Sequence, residues 1–220
     1  MDVEECIKTR RSVRKFLNVP VPWDMVGQIV KAGKSAPCAG NIQSWKFIVV
    51  TDPGLVKELS RAALQQLWMQ DAPVIIVVCN ETDKIKRHYG KRGVELYSIQ
   101  DSAAAIQNML LMVNKLGLGA CWVGAFSDEQ VERALGIPGN VRIDALIPIG
   151  YPDEKPPEPM EYEFKDLVYE NGWRGNIKSF PLTQLSYGEV LHDHIDAVKE
   201  KSKNLLQKAA EGLNKLIKKK

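Results

Sequence analysis

Histidine is scarce in this chain of 220 residues, with His88, His192 and His194 its only three, and its four cysteines, Cys6, Cys38, Cys79 and Cys121, stand far apart. No pair of cysteines has the C-x-x-C spacing that grips zinc or makes a redox dithiol, and the histidines are too scattered to complete a metal site. No metal is expected, and in a reducing compartment the cysteines should be free thiols. Long apolar runs are also missing, and the opening MDVEECIKTRRSVRKF sets acids before bases, unlike a secretory signal. The sequence therefore predicts a cytoplasmic protein. Charge of one sign is not dominant: 30 Lys and Arg against 27 Asp and Glu leave +3. No basic stretch in the first 200 residues is interleaved with exposed-looking aromatics, so nucleic acid is not an expected partner. No internal repeat is visible.

What is present is enough apolar material, 45% hydrophobic against 26% charged, for one ordinary core and a short appendage. Helical spacing of Val3 and Ile7, and of Trp23, Val26, Ile29 and Val30, predicts helices over 2–9 and 22–34. A loop of small residues follows over 35–41, then a strand through Phe47 to Thr51, closed by Asp52-Pro53-Gly54. A helix is expected over 54–67, and the β-branched run from Ala72 to Cys79 reads as a strand buried on both faces in the middle of a sheet. From Tyr97 to Leu116, Ile99, Ala103, Ile106, Leu110 and Val113 recur at three or four, with Gly117 as the stop. This is expected to be a central, nearly fully buried helix. Residues 120–126 read as a short strand or turn, Ser127 as the cap of a helix over 128–135, and 143–150 as another strand.

Past the proline-rich connection 152–159, the segment from Glu189 to Lys220 carries Leu191, Ile195, Val198, Leu205, Ala209 and Leu216 on one helical stripe. Its last twenty residues hold seven lysines against the single Glu211. This basic amphipathic helix could pack on a dimer, join a coiled coil or lie on an anionic membrane surface, and packing on a dimer is the favoured reading.

The string Arg10-Arg11-Ser12-Val13-Arg14 follows the first helix. In extended backbone, residues i, i+2 and i+4 point to one side, so Arg10, Ser12 and Arg14 would face an anion such as phosphate together. Taken alone, the same string reads more readily as a solvated surface or a protein-binding patch.

Taken in order, TRRSVRKF, APCAGNIQSWKF, DAPVIIVV, DSAAAIQNMLL with LGLGACWVGAF, and PIGYP resemble the nitroreductase family of flavin mononucleotide (FMN) enzymes over residues 1 to about 173. The resemblance implies an α+β fold in three α/β/α layers around a mixed, mainly antiparallel sheet, dimeric, with two FMN sites each completed by both subunits. It divides the chain into an FMN-binding domain over 1–175 and an extension over 176–220 that holds the amphipathic helix. It also gives the apolar helix 97–116 a partner, since a dimer interface would cover what its own sheet leaves bare; burial within one chain is the alternative.

Carried over residue by residue, Arg10 and Ser12 match the family's phosphate contacts, with Arg11 adjacent and sharing them, and Arg14 matches the basic residue beside flavin N1 and O2. Pro37, Cys38, Ala39 and Asn41 match the loop that packs on the flavin from the other subunit, with Gln43 and Trp45 holding it. The thiol of Cys38 stands where serine is frequent, and space filling is favoured over catalysis. Gln65 aligns with the amide that reads the flavin pyrimidine edge, with Gln66 the alternative. Trp122, Val123, Gly124 and Ala125 match the segment whose backbone N–H groups face N5 and O4, although Trp122 and Phe126 could equally be core aromatics. One expected element is missing: the arginine that closes on the phosphate before the L-V motif is replaced by Glu158-Pro159-Met160-Glu161-Tyr162-Glu163. Lys155, Lys165 and Arg174 are the cations nearby in sequence.

The implied activity is hydride transfer from NADH or NADPH through flavin N5 to a nitroaromatic, quinone or related conjugated electrophile, with no side-chain acid or base required. The alternatives are a flavin-binding redox or interaction module, or reductive dehalogenation or flavin breakdown on the same fold. The last two would need a lid, for which 83–96, with Arg87, His88, Tyr89 and Arg92, is the candidate.

Overall fold

The computed structural model describes residues 1–177, and the expected tail helix over 189–220 lies outside the described residues. The chain divides between Glu158 and Pro159 into two units.

In the first unit, α1 (Val3–Thr9) starts where the Asp2 carboxylate accepts the Glu5 N–H at 2.8 Å, with Glu4 and Glu5 set against the positive end of the helix. An extended segment leads to α2 (Trp23–Lys34), then β1 (Trp45–Val50), α3 (Pro53–Ala62), β2 (Val74–Glu81), α4 (Thr82–Arg92), α5 (Ser98–Lys115), β3 (Gly119–Ala120), α6 (Asp128–Leu135) and β4 (Val141–Gly150). Ser127 caps α6 as its position suggested, its hydroxyl accepting the Gln130 N–H, and Gly136 ends that helix in the left-handed region.

The sheet has the order β1-β2-β4-β3 with every strand pair antiparallel. Its only parallel pairing among the described residues is the bridge between Ser12 and Ala120, through which the arginine string joins the sheet edge. β2 is the interior strand its composition called for, and its alternating side chains feed two cores. Val74, Ile76 and Val78 pack with Ile29 of α2 and Ile106, Met109 and Val113 of α5. Ile75, Val77 and Cys79 face the other way, onto Val56 and Leu59 of α3 and Val131 of α6. Helices thus cover both faces of one sheet, the three layers expected of an α+β domain.

Two expectations need correction, the extent of the helix after β1 and the burial of α5. The helix expected over 54–67 stops at Ala62, because Leu64 and Gln65 take left-handed backbone (φ 54° and 61°), which an α-helix cannot contain. A 3₁₀ turn over Leu67–Asp71 follows. The segment 120–126, read as a short strand or turn, holds the end of the two-residue β3 (Gly119–Ala120) and the bridge from Val123 to Leu146. The candidate lid over 83–96 is helical: α4 breaks at Gly90 and runs on through a π turn (Gly93–Tyr97) into α5, and the stretch buries Ile85 and Gly93. Finally, α5 is covered on one face, not nearly all round. Ser98, Asp101, Ser102, Ala105, Ile106, Met109, Leu110 and Val113 are buried, while Ile99 is 49% exposed and Ala103, Leu111 and Met112 are half-buried.

The described part of the second unit holds the one-turn helix α7 (Phe164–Leu167) and an edge-on contact of the Tyr169 and Trp173 rings at 5.2 Å. No helix among the described residues is long and apolar enough to cross a membrane.

Candidate active site

The arginine string is held on two sides. Val13 donates its N–H to the Ala120 carbonyl at 3.0 Å, and Leu17 donates to Tyr151 at 2.9 Å, so the segment lies between β3 and the chain leaving β4. Val13 and Phe16 point inward, forming a small core with Ala72 and Trp68. Glu154, which nothing in the local sequence marked out, fixes the middle of the segment: its carboxylate accepts the N–H groups of Arg14 and Lys15 at 2.5 and 3.2 Å.

With Val13 inward, Arg10, Ser12 and Arg14 gather around the Cys121 thiol. Burial pushes that thiol up, while the Arg14 charge, the Ser12 hydroxyl and the Arg10 charge pull it back. Neither Arg10 nor Arg14 forms an ion pair among the described residues. Arg11 is sorted away from this group. Its guanidinium donates to the Lys8 and Arg10 carbonyls at 2.6 and 3.0 Å and meets the Glu158 carboxylate at 3.6 Å. Glu158 is the first residue of the stretch where a phosphate-closing arginine was expected; here an acid there holds Arg11. Lys155 lines the same groove as Arg11, together with Glu154 and Glu158.

Three residues beyond Cys121, the backbone N–H groups of Gly124 and Ala125 make no hydrogen bond among the described residues, and both residues are exposed. A Cβ built on Gly124 would meet nothing within 4 Å, so the approach to those donors is open. Val123 is buried and Trp122 is 41% exposed, which makes Val123 the core anchor of this stretch and leaves Trp122 at the surface. Gln66 reaches the same stretch, donating to the Ala125 carbonyl at 3.2 Å, whereas Gln65 is exposed on its left-handed backbone.

The loop with Pro37, Cys38, Ala39 and Asn41 is not brought to this group. Ala39 donates its N–H to Asp101 in the first turn of α5 at 2.9 Å. Asn114, thirteen residues along the same helix, donates to the Cys6 carbonyl and the Thr9 hydroxyl at 3.0 and 2.9 Å, next to Arg10. At 1.5 Å per residue the two halves of the expected site stand about 20 Å apart along α5. Gln43 bonds to Asn41 inside the loop at 3.0 Å, and Trp45 is buried with Ala36 and Ala105.

An antiparallel sheet between two helical layers carries, along its β3 edge, two guanidinium groups without an ion pair and two backbone N–H groups without an acceptor among the described residues, donors of the kind that suit an anionic, hydrogen-bond-accepting ligand. The chain belongs to the nitroreductase family, whose model matches residues 7–69 and 57–151. It is 36% identical over 160 residues to a protein of Methanothermobacter thermautotrophicus described as an NADH dehydrogenase/NAD(P)H nitroreductase, covering 71% of this chain and 80% of that one. Among solved structures, one from Parabacteroides distasonis with the same description superposes with a TM-score of 0.69 at 29% identity, covering 78% of this chain and 98% of the other. The NADPH:FMN oxidoreductase of Vibrio harveyi, solved in complex with NAD+, gives 0.70 at 25% identity, covering 92% and 90%.

Proposed function

We propose that the chain is an NAD(P)H-dependent flavin oxidoreductase that binds FMN and reduces nitroaromatic, quinone or related conjugated electrophiles. The observation that carries this reading is the donor set along the β3 edge of the sheet, where Arg10, Ser12 and Arg14 all act on the Cys121 thiol and, three residues further on, the Gly124 and Ala125 N–H groups have no acceptor among the described residues. That set suits FMN, a dianionic phosphate joined to a ring whose reduced form carries negative charge. When bound, FMN supplies hydride uptake from NAD(P)H and its delivery to the acceptor at N5, in two half-reactions sharing one site.

The chain's own residues bind and orient. Arg10 and Ser12 hold the phosphate, since charge-assisted bonds from guanidinium and hydroxyl are the strong ones for this group. Arg14 would lie beside N1 and O2 of a bound FMN, where a fixed cation would stabilise the charge of the reduced ring. The Gly124 and Ala125 N–H groups would serve N5 and O4 of a bound FMN, and Gln66, tied to Ala125, is better supported than Gln65 as the amide at the pyrimidine edge. Trp122 and Val123 carry this segment, Val123 by its burial. No side-chain acid or base is given a step.

The site takes two copies of the chain. A loop about 20 Å away along α5 completes the site of a second protomer more readily than its own. The bare side of α5 fits such a dimer. So does the apolar groove of about 750 Å³ between α1, α2 and α5, where Met1, Val3, Leu111 and Met112 lie. Residues 1–175 then form the FMN-binding unit and 176–220 an appended tail. The four free cysteines suit a reducing cytoplasm.

The test is the visible spectrum of the purified protein, identification of the released cofactor, and NADH or NADPH oxidation with a quinone acceptor. Flavin absorption, FMN on release and turnover are expected. A colourless protein that also fails to take up added FMN overturns the reading, and bound FMN without turnover leaves a binding module instead.

A further inference from the structure

The loop after α2 is a strained piece of backbone. Gly40, Asn41 and Gln43 all take left-handed conformations, with φ of 55°, 55° and 51°, and two of the three are not glycine. Such backbone persists only where its surroundings over-determine it. The loop's own bonds are long, Asn41 N–H to Cys38 O and Ile42 N–H to Ala39 O at 3.2 Å each. From outside, Lys84 of α4 reaches the Gln43 carbonyl at 3.4 Å, and a Cβ at Gly40 would lie 2.6 Å from the Tyr89 hydroxyl. The shortest of these bonds among the described residues is from below: Asp101 accepts the Ala39 N–H at 2.9 Å.

Asp101 is an expensive residue to keep there. It is 5% exposed, and its second carboxylate oxygen is buried with no partner among the described residues. Burial pushes its carboxyl up, and the Ala39 N–H pulls it back. Beside it on α5, Ser98 and Ser102 are satisfied through Asn80, whose amide donates to the Ser98 carbonyl and the Ser102 hydroxyl at 3.2 Å each. Nothing in that network uses Asp101. A buried carboxylate with half its hydrogen-bonding capacity idle is unfavourable for folding, so packing of α5 does not explain it.

We propose that Asp101 is a positioning residue for the flavin: it fixes Ala39, and through it the strained Cys38–Asn41 backbone, in the shape that closes on the flavin of the partner subunit. This rests on the reading of the loop as a flavin contact. The arrangement puts the hold on a rigid helix and the contact on a loop, so that the surface offered to the flavin is set before binding and little loop entropy is lost on closure.

The experiment uses full-length, FMN-loaded protein with Asp101→Ala and Asp101→Asn. Asparagine keeps an oxygen that accepts from Ala39 and has almost the same shape; alanine has none. Three quantities are read: the FMN dissociation constant, hydrogen exchange of the Ala39 amide, and the urea unfolding midpoint. Alanine is expected to weaken FMN binding on the order of tenfold and to speed exchange at Ala39. Asparagine should restore both, whatever either variant does to the unfolding midpoint. Equal effects of alanine and asparagine, or wild-type binding and exchange in the alanine variant, overturn the proposal. Fast exchange at Ala39 with unchanged FMN binding also overturns it, by showing that the loop Asp101 holds does not touch the flavin. If the wild-type protein takes up no FMN, the functional reading has failed by itself, and this is visible before any variant is made. Should the alanine variant not fold, Asp101→Ser, whose hydroxyl is too short to reach Ala39, takes its place with the same expected losses.

Discussion

Gly119 decides how closely the arginine string can lie against the sheet. A Cβ built there falls 2.8 Å from Cβ, Cγ1 and Cγ2 of Val13 at once. Val13 cannot swing away, because it is β-branched and stiff at χ1, 6% exposed, and fixed by its N–H bond to Ala120. Gly119→Ala must therefore push the Arg10–Arg14 backbone off β3, breaking the Val13–Ala120 bond or tilting it. Overpacking of this kind costs about 1–3 kcal/mol, and at roughly 2–4 °C per kcal/mol for a domain of this size the melting temperature should fall by about 2–12 °C. Because Arg10, Ser12 and Arg14 ride on the displaced segment, FMN binding should weaken as well, on the order of tenfold. Thermal denaturation of the apoprotein and FMN fluorescence titration read the two effects separately. The double variant Val13→Ala, Gly119→Ala removes two of the three close contacts, those with Cγ1 and Cγ2, and keeps the one with Cβ, so its cost should be smaller than the sum of the two single costs without vanishing. Gly139→Ala, where a Cβ meets nothing within 4 Å, is the control. A Gly119→Ala protein with unaltered melting temperature and FMN affinity would refute the claim that this contact seats the string.

Two further outcomes follow from the same geometry. Arg10→Ala should weaken FMN retention by at least about tenfold, more at low salt than high. Arg11→Ala should weaken it far less, since that guanidinium is already taken by two carbonyls and Glu158; equal losses in dialysis would contradict the sorting of the two side chains. Burial, with the Asp144 carboxylate adding to it, pushes the Cys79 thiol up to about 12 from 9.0. The folded chain then holds a proton that the unfolded chain gives up, so this stability is complete below pH 9 and is lost as pH rises from 9 towards 12. The slope is about 1.4 kcal/mol per pH unit. Urea midpoints taken between pH 8.5 and 10.5 should fall more steeply for the wild type than for Cys79→Ala, and parallel slopes would count against the buried thiol as the cause.

Where a feature depends on neighbours within a few residues, the amino-acid sequence carried it. The β-branched run before Cys79 required an interior strand, Ser127 had the position and side chain of a helix cap, and periodic apolar residues marked α1, α2 and α5. The ordered strings from TRRSVRKF to PIGYP were enough to indicate the family, because their order is itself a property of the chain. Tertiary structure decided the rest. α3 ends at Ala62 before the left-handed Leu64 and Gln65, and Gln66 beyond them bonds to the Ala125 carbonyl, 59 residues away, a partner that no local pattern displays. Adjacent arginines, equivalent in sequence, are separated by which carbonyls and carboxylates happen to lie on each side of an extended strand. Asp101 and Glu154 hold backbone N–H groups 62 and 140 residues distant, so no local pattern announces them. The single helix α5 sets the two groups of expected site residues at opposite ends, and its length is what makes the proposed flavin site call for a second chain. Periodicity and capping are local free energies that a sequence displays; distances between segments are fixed only when helices and strands of definite length are packed together.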